Sequence, residues 1–244
     1  MIRLLEELSM NAWPALRTLL YDGWVLRFAE GYTRRANSVN PLYPSTRDAL
    51  EKIEACERLY RGQGLAVIFK LTAASQPERL DEMLALRGYA ADAPTSVQTL
   101  DLGKGAAALD PSVSIDAHLS DEWLAAYCRM GGVDRRREPV LRQMLSGVVP
   151  AHGFASVRQG GTLVACGMGV SQEGWVGLFD IVTDPAHRGQ GHGTRLVSGL
   201  LAWGADNGAR NAYLQVMLNN APALRLYARM GFVERYRYWY RVSS

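Results

Sequence analysis

The sequence is short of the residues that staple small proteins or bind metals. Its 244 residues include three cysteines, Cys56, Cys128 and Cys166, odd in number and far apart, which excludes a disulfide framework or a metal-ligand spacing. They read as small buried side chains in a reducing compartment. The four histidines, His118, His152, His187 and His192, share no ligand spacing, so no metal is expected. Long apolar runs are missing as well. The strongest, residues 65–69, is far too short to span a bilayer, and Arg3, Glu6, Glu7 and Arg17 break any secretory leader. The expectation is a cytoplasmic protein with no membrane partner. Neither a Gly-x-x-x-x-Gly-Lys-Ser/Thr nucleotide loop nor a Gly-x-Ser-x-Gly hydrolase elbow occurs.

What is present is an ordinary globular composition. With 48% hydrophobic and 21% charged residues the chain can bury a core without staples, and wholesale disorder is excluded. A net charge of +3 is too balanced for a nucleic-acid coat. Residues 111–244 carry 14 arginines, no lysine and 10 acids. Guanidinium forks suit a phosphorylated small ligand, although a soluble basic surface explains the bias equally well.

Glycine, proline and alanine punctuate residues 103–111, marking a linker between a domain at 1–102 and another at 112–244. In the first, the pattern predicts a helix over 13–21 and a hairpin from 24–28 and 33–39. A helix over 46–60, a strand over 65–71, a helix over 78–86 and a strand over 96–102 follow. In the second, a strand at 113–117 and helices at 120–128 and 139–146 precede a hairpin of 154–158 with 162–170. Then come a strand over 175–183, a helix over 193–207, a strand over 211–217, a helix over 222–230 and a last strand over 232–242. A mixed sheet flanked by helices is the implied architecture. The order strand, helix, Gly-aromatic recurs from Gly64 to Gly88 and from Gly208 to Gly231, as a duplicated module or a coincidence of helix stops.

The chemically informative stretch lies between an apolar strand and a long apolar helix. It runs through Asp180, Ile181, Val182 and Thr183 to Arg188, Gly189, Gln190, Gly191, His192, Gly193 and Thr194. Three glycines at alternate positions let successive N–H groups converge, and the helix adds its unpaired first-turn donors. Such a loop holds a pyrophosphate. A dinucleotide fold needs a third glycine where Thr194 stands, and an acid after the next strand, which offers none. Arg61-Gly62-Gln63-Gly64 repeats the letters of the loop, but it follows a helix and reads as a C-cap. The corresponding place in the first half, residues 40–45, has two prolines and no glycine.

Arg188, Gly191 and Gly193 fill the Arg/Gln-x-x-Gly-x-Gly/Ala pattern of the coenzyme A loop in the GNAT superfamily of N-acetyltransferases. Asn220, Ala223, Leu226, Tyr227, Gly231 and Phe232 fill a second family element. Residues 112–244 therefore resemble that family, and the first domain resembles a GNAT-like copy without the cofactor loop. The resemblance implies a tandem GNAT-like α/β fold with a mixed sheet. It also implies direct acetyl transfer from acetyl-CoA to an amine, on a small molecule or a peptide.

By the same resemblance, main-chain groups of residues 181–183 bind the pantetheine arm, and loop amides from Arg188 to Thr194 hold the diphosphate. A strand N–H near Ile181 steadies the oxyanion, an effect of about 3 kcal/mol per donor. Asn220 orients the pantetheine, Ala223 lines it, and Tyr227 returns a proton to the leaving thiolate. Spacing alone makes Tyr227 a buried helix aromatic beside Leu224 and Met230. The family's usual glutamate position is Gln215, which cannot take a proton. Asp180 is then the nearest candidate base or a loop cap, with Glu173, His187 and a water chain as alternatives. Trp24, Tyr32 and Tyr43 are candidate acceptor contacts. Rival readings are a coenzyme A-binding sensor without catalysis and an RNA-binding module. The second rests on residues 235–241, where alternation also fits a half-buried strand with its tyrosines on one face.

Overall fold

The structure, a computed structural model, describes residues 1–103 and 110–243, so most of the expected linker lies outside the described residues. In chain order the elements are α1 (Ile2–Ala12), β1 (Arg17–Tyr21), β2 (Trp24–Phe28), β3 (Val39–Asn40), α2 (Ala49–Gly62), β4 (Ile68–Thr72), α3 (Leu80–Leu86) and β5 (Ala90–Asp101). They continue with β6 (Val113–Asp116), α4 (Asp121–Gly131), α5 (Glu138–Ser146), β7 (Ala151–Gln159), β8 (Thr162–Gln172) and β9 (Trp175–Thr183). The last are α6 (His192–Asp206), β10 (Asn211–Met217), α7 (Ala221–Arg229) and β11 (Val233–Val242). They form two compact units. The first comprises Met1–Val97, Val216–Ala221 and Glu234–Ser244; the second comprises Gln98–Gln215 and Pro222–Val233.

In the first unit the strand order is β1-β2-β3-β4-β11-β5. β1 and β2 are antiparallel, β3 runs antiparallel to β2, and β4 returns parallel to β3 after α2. Trp24, Phe69, Tyr60, Ile53 and Leu84 fill the core between sheet and helices. β11 is antiparallel to β4, and its alternation buries Tyr236, Tyr238 and Tyr240. The Tyr236 hydroxyl donates to Glu6 at 2.8 Å, and Lys70 pairs with the same carboxylate. These tyrosines are core, not a platform for stacking bases.

The second unit repeats this plan in the order β10-β9-β8-β7-β6. β7, β8 and β9 form an antiparallel meander, and β10 returns parallel to β9 after α6. Corresponding helices also end alike. Leu65 N–H reaches Tyr60 O at 3.0 Å after α2, as Ala209 N–H reaches Gly204 O at 2.9 Å after α6. Tyr89 N–H reaches Leu84 O and Phe232 N–H reaches Tyr227 O, both at 3.0 Å, across Gly88 and Gly231 at φ +84° and +90°. Gly64 at φ +67° closes α2, so Arg61-Gly62-Gln63-Gly64 is the helix end.

Two expectations fail near the N-terminus. Residues 13–21 are not a helix: α1 precedes them, and 17–21 form β1. Pro14 ends the helix and does not open one, because the residue before proline is driven out of the helical region, and Trp13 has φ −127° and ψ 71°. The tight hairpin accordingly joins β1 to β2 across Asp22-Gly23. β2 also pairs antiparallel with β3 as expected, but only at Val39–Asn40, and residues 34–36 form a single 3-10 turn in place of the expected strand.

Glycine sets how closely α6 approaches the sheet. A Cβ at Gly204 would lie 2.6 Å from Val176 Cβ and Cγ1, on a side chain with no exposed surface. Alanine is worth about 1 kcal/mol over glycine within a helix, but overpacking costs about 1–3 kcal/mol. Gly204→Ala is therefore expected to destabilise the second unit by up to about 2 kcal/mol, read as a lower urea midpoint. A raised midpoint would show that α6 has room to shift.

Candidate active site

The site is built at the end of β9. Residues 176–179 are buried, residues 180–184 half-buried, and the chain then runs exposed toward α6. Against β8 the register slips: Cys166 faces Val182 and Met168 faces Phe179, so Asp180 and Ile181 together oppose Gly167. Asp180 takes the left-handed conformation at φ +54° to make this bulge. Gly167 is what admits it, since a Cβ there would lie 2.5 Å from Ile181 Cδ1 and 3.3 Å from Leu196 Cδ2. On the other edge, parallel pairing with β10 runs from Trp175–Asn211 to Leu178–Leu214 and stops, five residues before β9 does. Residues 181–183 lie beyond that register.

Asp184 anchors the loop that follows. Its N–H donates to Val164 O at 2.8 Å, its carboxylate accepts from Ala186 N–H at 3.0 Å, and Arg129 of α4 pairs with the other oxygen. The Arg129 guanidinium and then the Ala186 amide hold the Asp184 carboxyl below the usual carboxylate range. After the 3-10 turn Pro185–His187, Gly189 and Gly191 adopt φ +77° and +82°, and a Cβ on either would meet nothing within 4 Å. Gly191 is the N-cap of α6 and brings no side-chain acceptor. Arg195 N–H is bonded to Gly191 O at 3.0 Å, so the amides of His192, Gly193 and Thr194 point out of the helix start. The positive end of the helix dipole faces the same space.

His192 secures this start from beneath. It is 4% exposed, and one ring nitrogen meets Arg195 at 2.7 Å while the other meets Gln159 Oε1 at 3.0 Å. Arginine can only donate, so Nδ1 accepts and Nε2 carries the hydrogen to Gln159. Burial, then the charge of Arg195, lowers the imidazole pKa and keeps the ring neutral at pH 7. On α7, Tyr227 is buried with its ring edge-on to Phe232 at 5.8 Å. Burial pushes its hydroxyl up to about 12, so it keeps its proton at working pH. Leu226, its neighbour, lies 3.7 Å from where a Gly193 Cβ would be, which brings α7 against the start of α6.

The second unit thus gathers Asp180, Ile181, Val182, Thr183, the loop from Arg188 to Thr194, Ala223 and Tyr227. Asn220 belongs to the first unit, in the turn closed by its own N–H on Met217 O. Trp24 is withdrawn as an acceptor contact: it has no exposed surface, and its indole donates to Gln76 O. Tyr43 donates to Glu7, and Tyr32 stacks on Trp13. Sequence reading missed Arg129, Gln159 and Arg195, whose partners lie 55, 33 and 3 positions away. Only the last spacing, one helical turn, left a readable signal. Among the described residues no group of histidine, cysteine and acid could hold a metal ion, and no helix is long and apolar enough to cross a membrane.

Known proteins share both the sequence and the fold. Residues 1–241 match the family described as probable histone acetyltransferase Rv0428c C-terminal. The uncharacterized N-acetyltransferase YobR of Bacillus subtilis is 31% identical over 249 residues, covering 99% of this chain and 98% of that protein. The probable histone acetyltransferase Rv0428c of Mycobacterium tuberculosis is 29% identical over 222 residues, 88% of this chain and 66% of that protein. A GCN5-related N-acetyltransferase from Kribbella flavida superposes with a TM-score of 0.72 at 16% identity, covering 99% of this chain and 95% of that one. A tandem GNAT protein from the clavulanic acid biosynthesis pathway gives 0.65 at 16% identity, over 98% and 88% of the chains. These two show a shared fold.

Asp184 makes a pH test of the loop anchor. With its pKa lowered on folding, it contributes stability that is full above the unfolded value near about 4 and is lost as pH falls through the folded one. Asp184→Asn should therefore lower the urea midpoint at pH 7, and the gap to wild type should narrow below about pH 4. A gap independent of pH would mean that the carboxylate charge plays no part.

Proposed function

Since the chain belongs to the GNAT N-acetyltransferases, in the family of the Rv0428c C-terminal region, we propose that it moves an acetyl group from acetyl-CoA to an amine by direct attack. The observation that carries the reading is the loop itself. Three outward amides, two left-handed glycines with open space around them and a helix dipole converge at a helix start that has no side-chain cap. A diphosphate fits that chemistry, and Arg188 stands exposed beside it. The edge of residues 181–183, beyond the register with β10, suits an extended arm carrying amides of its own, which can bond like an added strand.

When bound, coenzyme A supplies an activated acetyl thioester whose sulfur leaves as a thiolate. The chain's contribution is positional and electrostatic. The bulge at Asp180 and Ile181 turns main-chain groups out of the β8 ladder, the kind of rigid donor that stabilises charge developing on a carbonyl oxygen. Tyr227 holds a proton that it can deliver to the thiolate, because burial prevents its early loss. Asp180, half-buried at the bulge, is the proposed acceptor of the amine's proton. Residues 1–102 are proposed to be a GNAT-like domain without a cofactor loop of its own.

Thiol release from acetyl-CoA with a panel of small amines and peptides tests the activity, and binding without turnover for any amine would favour a sensor. Tyr227→Phe is expected to lower kcat at least tenfold with the KM for acetyl-CoA nearly unchanged, and equal turnover would remove Tyr227 from the proton path. Asp180→Asn is expected to flatten the acidic limb of the pH–rate profile. An unaltered limb would assign the proton to another group.

A further inference from the structure

The two units share a plan, so the first unit has a place that matches the glycine loop. In both, a hairpin turn lies at the end of the meander where the chain leaves for the helix between two parallel strands. In the second unit that turn is Gly160-Gly161, at φ +57° and +82°, and a Cβ on either would meet nothing within 4 Å. In the first it is Asp22-Gly23, at φ +45° and +82°, the same turn conformation with one side chain added. Gly23 is pressed onto the segment before α2: its carbonyl accepts from Tyr43 N–H at 3.1 Å, and a Cβ would lie 2.7 Å from Tyr43 O.

The added side chain is an anion, and it is fully engaged. The Asp22 carboxylate accepts from Thr46 N–H at 3.1 Å, Thr46 Oγ1 at 2.8 Å and Arg47 N–H at 2.9 Å. Lys52, whose side chain has no exposed surface, stands 3.2 Å away and donates to Asp22 O and Ser45 Oγ. The bonds from Arg47 and Thr46 hold the carboxyl far below the usual carboxylate range, so it is charged at any physiological pH. The first amides of α2 are taken as well: Asp48 accepts from Leu50 and Glu51, whereas α6 has no side-chain cap.

We infer that Asp22 is a built-in anion that fills, in the first unit, the position the second unit leaves open, so that the chain takes one coenzyme and not two. This rests on the reading of the second unit given above. It gives Asp22 a specific role, in which a carboxylate on the facing hairpin closes the duplicated cradle from within. The first unit keeps the basic, amide-rich surroundings of an anion site but has no vacancy for an external phosphate. Loss of glycines from residues 40–45 is then only half of the change, and the hairpin supplies the other half.

Two measurements decide it. Calorimetry of the full chain should give one equivalent of acetyl-CoA, and in wild type the Thr46 and Arg47 amides should exchange slowly with deuterium and be unmoved by acetyl-CoA. Asp22→Gly keeps the left-handed turn and recreates the Gly-Gly hairpin, and it should speed exchange of those two amides at least tenfold. A second equivalent bound by wild type, or exchange unchanged in Asp22→Gly, overturns the inference. Absence of any coenzyme binding would count against the second unit's site instead, with the exchange data still deciding Asp22.

Discussion

A helix cannot satisfy its own first amides, and the second unit depends on that deficit at α6. Two other helix starts are closed by side chains, Ser120 at α4 and Asp48 at α2. At α6 the cap is a glycine in the left-handed region, which supplies no acceptor. The surroundings keep the gap open. Gly167 admits the bulge, Asp184 ties the loop's base to β8 and Arg129, and neutral His192 braces the helix start between Gln159 and Arg195. Each holds the amides in place without occupying them.

The electrostatics follow the same logic. An anion at α6 meets partial charges fixed in the backbone, roughly half a unit at the helix end, and not a flexible cation that must be ordered first. This is in keeping with the absence of lysine from residues 111–244. A protonated His192 would add charge behind the amides but would lose its bond from Arg195, since both ring nitrogens would then be donors. The buried neutral imidazole is therefore a brace, and its own burial favours the uncharged form. Tyr227 is held neutral by the same cause acting on the opposite kind of acid.

How much of this could be read from the sequence depended on how local each signal was. Strands 175–183 and 211–217 are found with their expected ends, because an apolar run bounded by turn residues specifies itself. α6 is displaced by a single residue, its start marked by the glycines. β1 was illegible: Leu19 and Leu20 are 43% and 76% exposed, so the strand carries no alternation, while Trp13-Pro14 imitates a helix start. The bulge at Asp180 is a property of two strands in register, and no window along one of them contains it. Arg129 with Asp184 is likewise a tertiary fact.

The shared plan of the two units clarifies which parts of a unit carry function. The ends of α2 and α6, and of α3 and α7, close with the same hydrogen bonds across a left-handed glycine, and both meanders turn through the same backbone conformation. These features set the fold, and both copies retain them. The copies part at the helix starts, where a few atoms decide whether amides face solvent or a carboxylate. Changing an end would cost packing, because Leu84 and Tyr227 are buried beside those closures. A start lies at the surface and can change with little loss of core. A second copy can therefore lose its ligand and keep its shape, which is why fold similarity alone gives the first unit no function, whereas the contents of its helix start do.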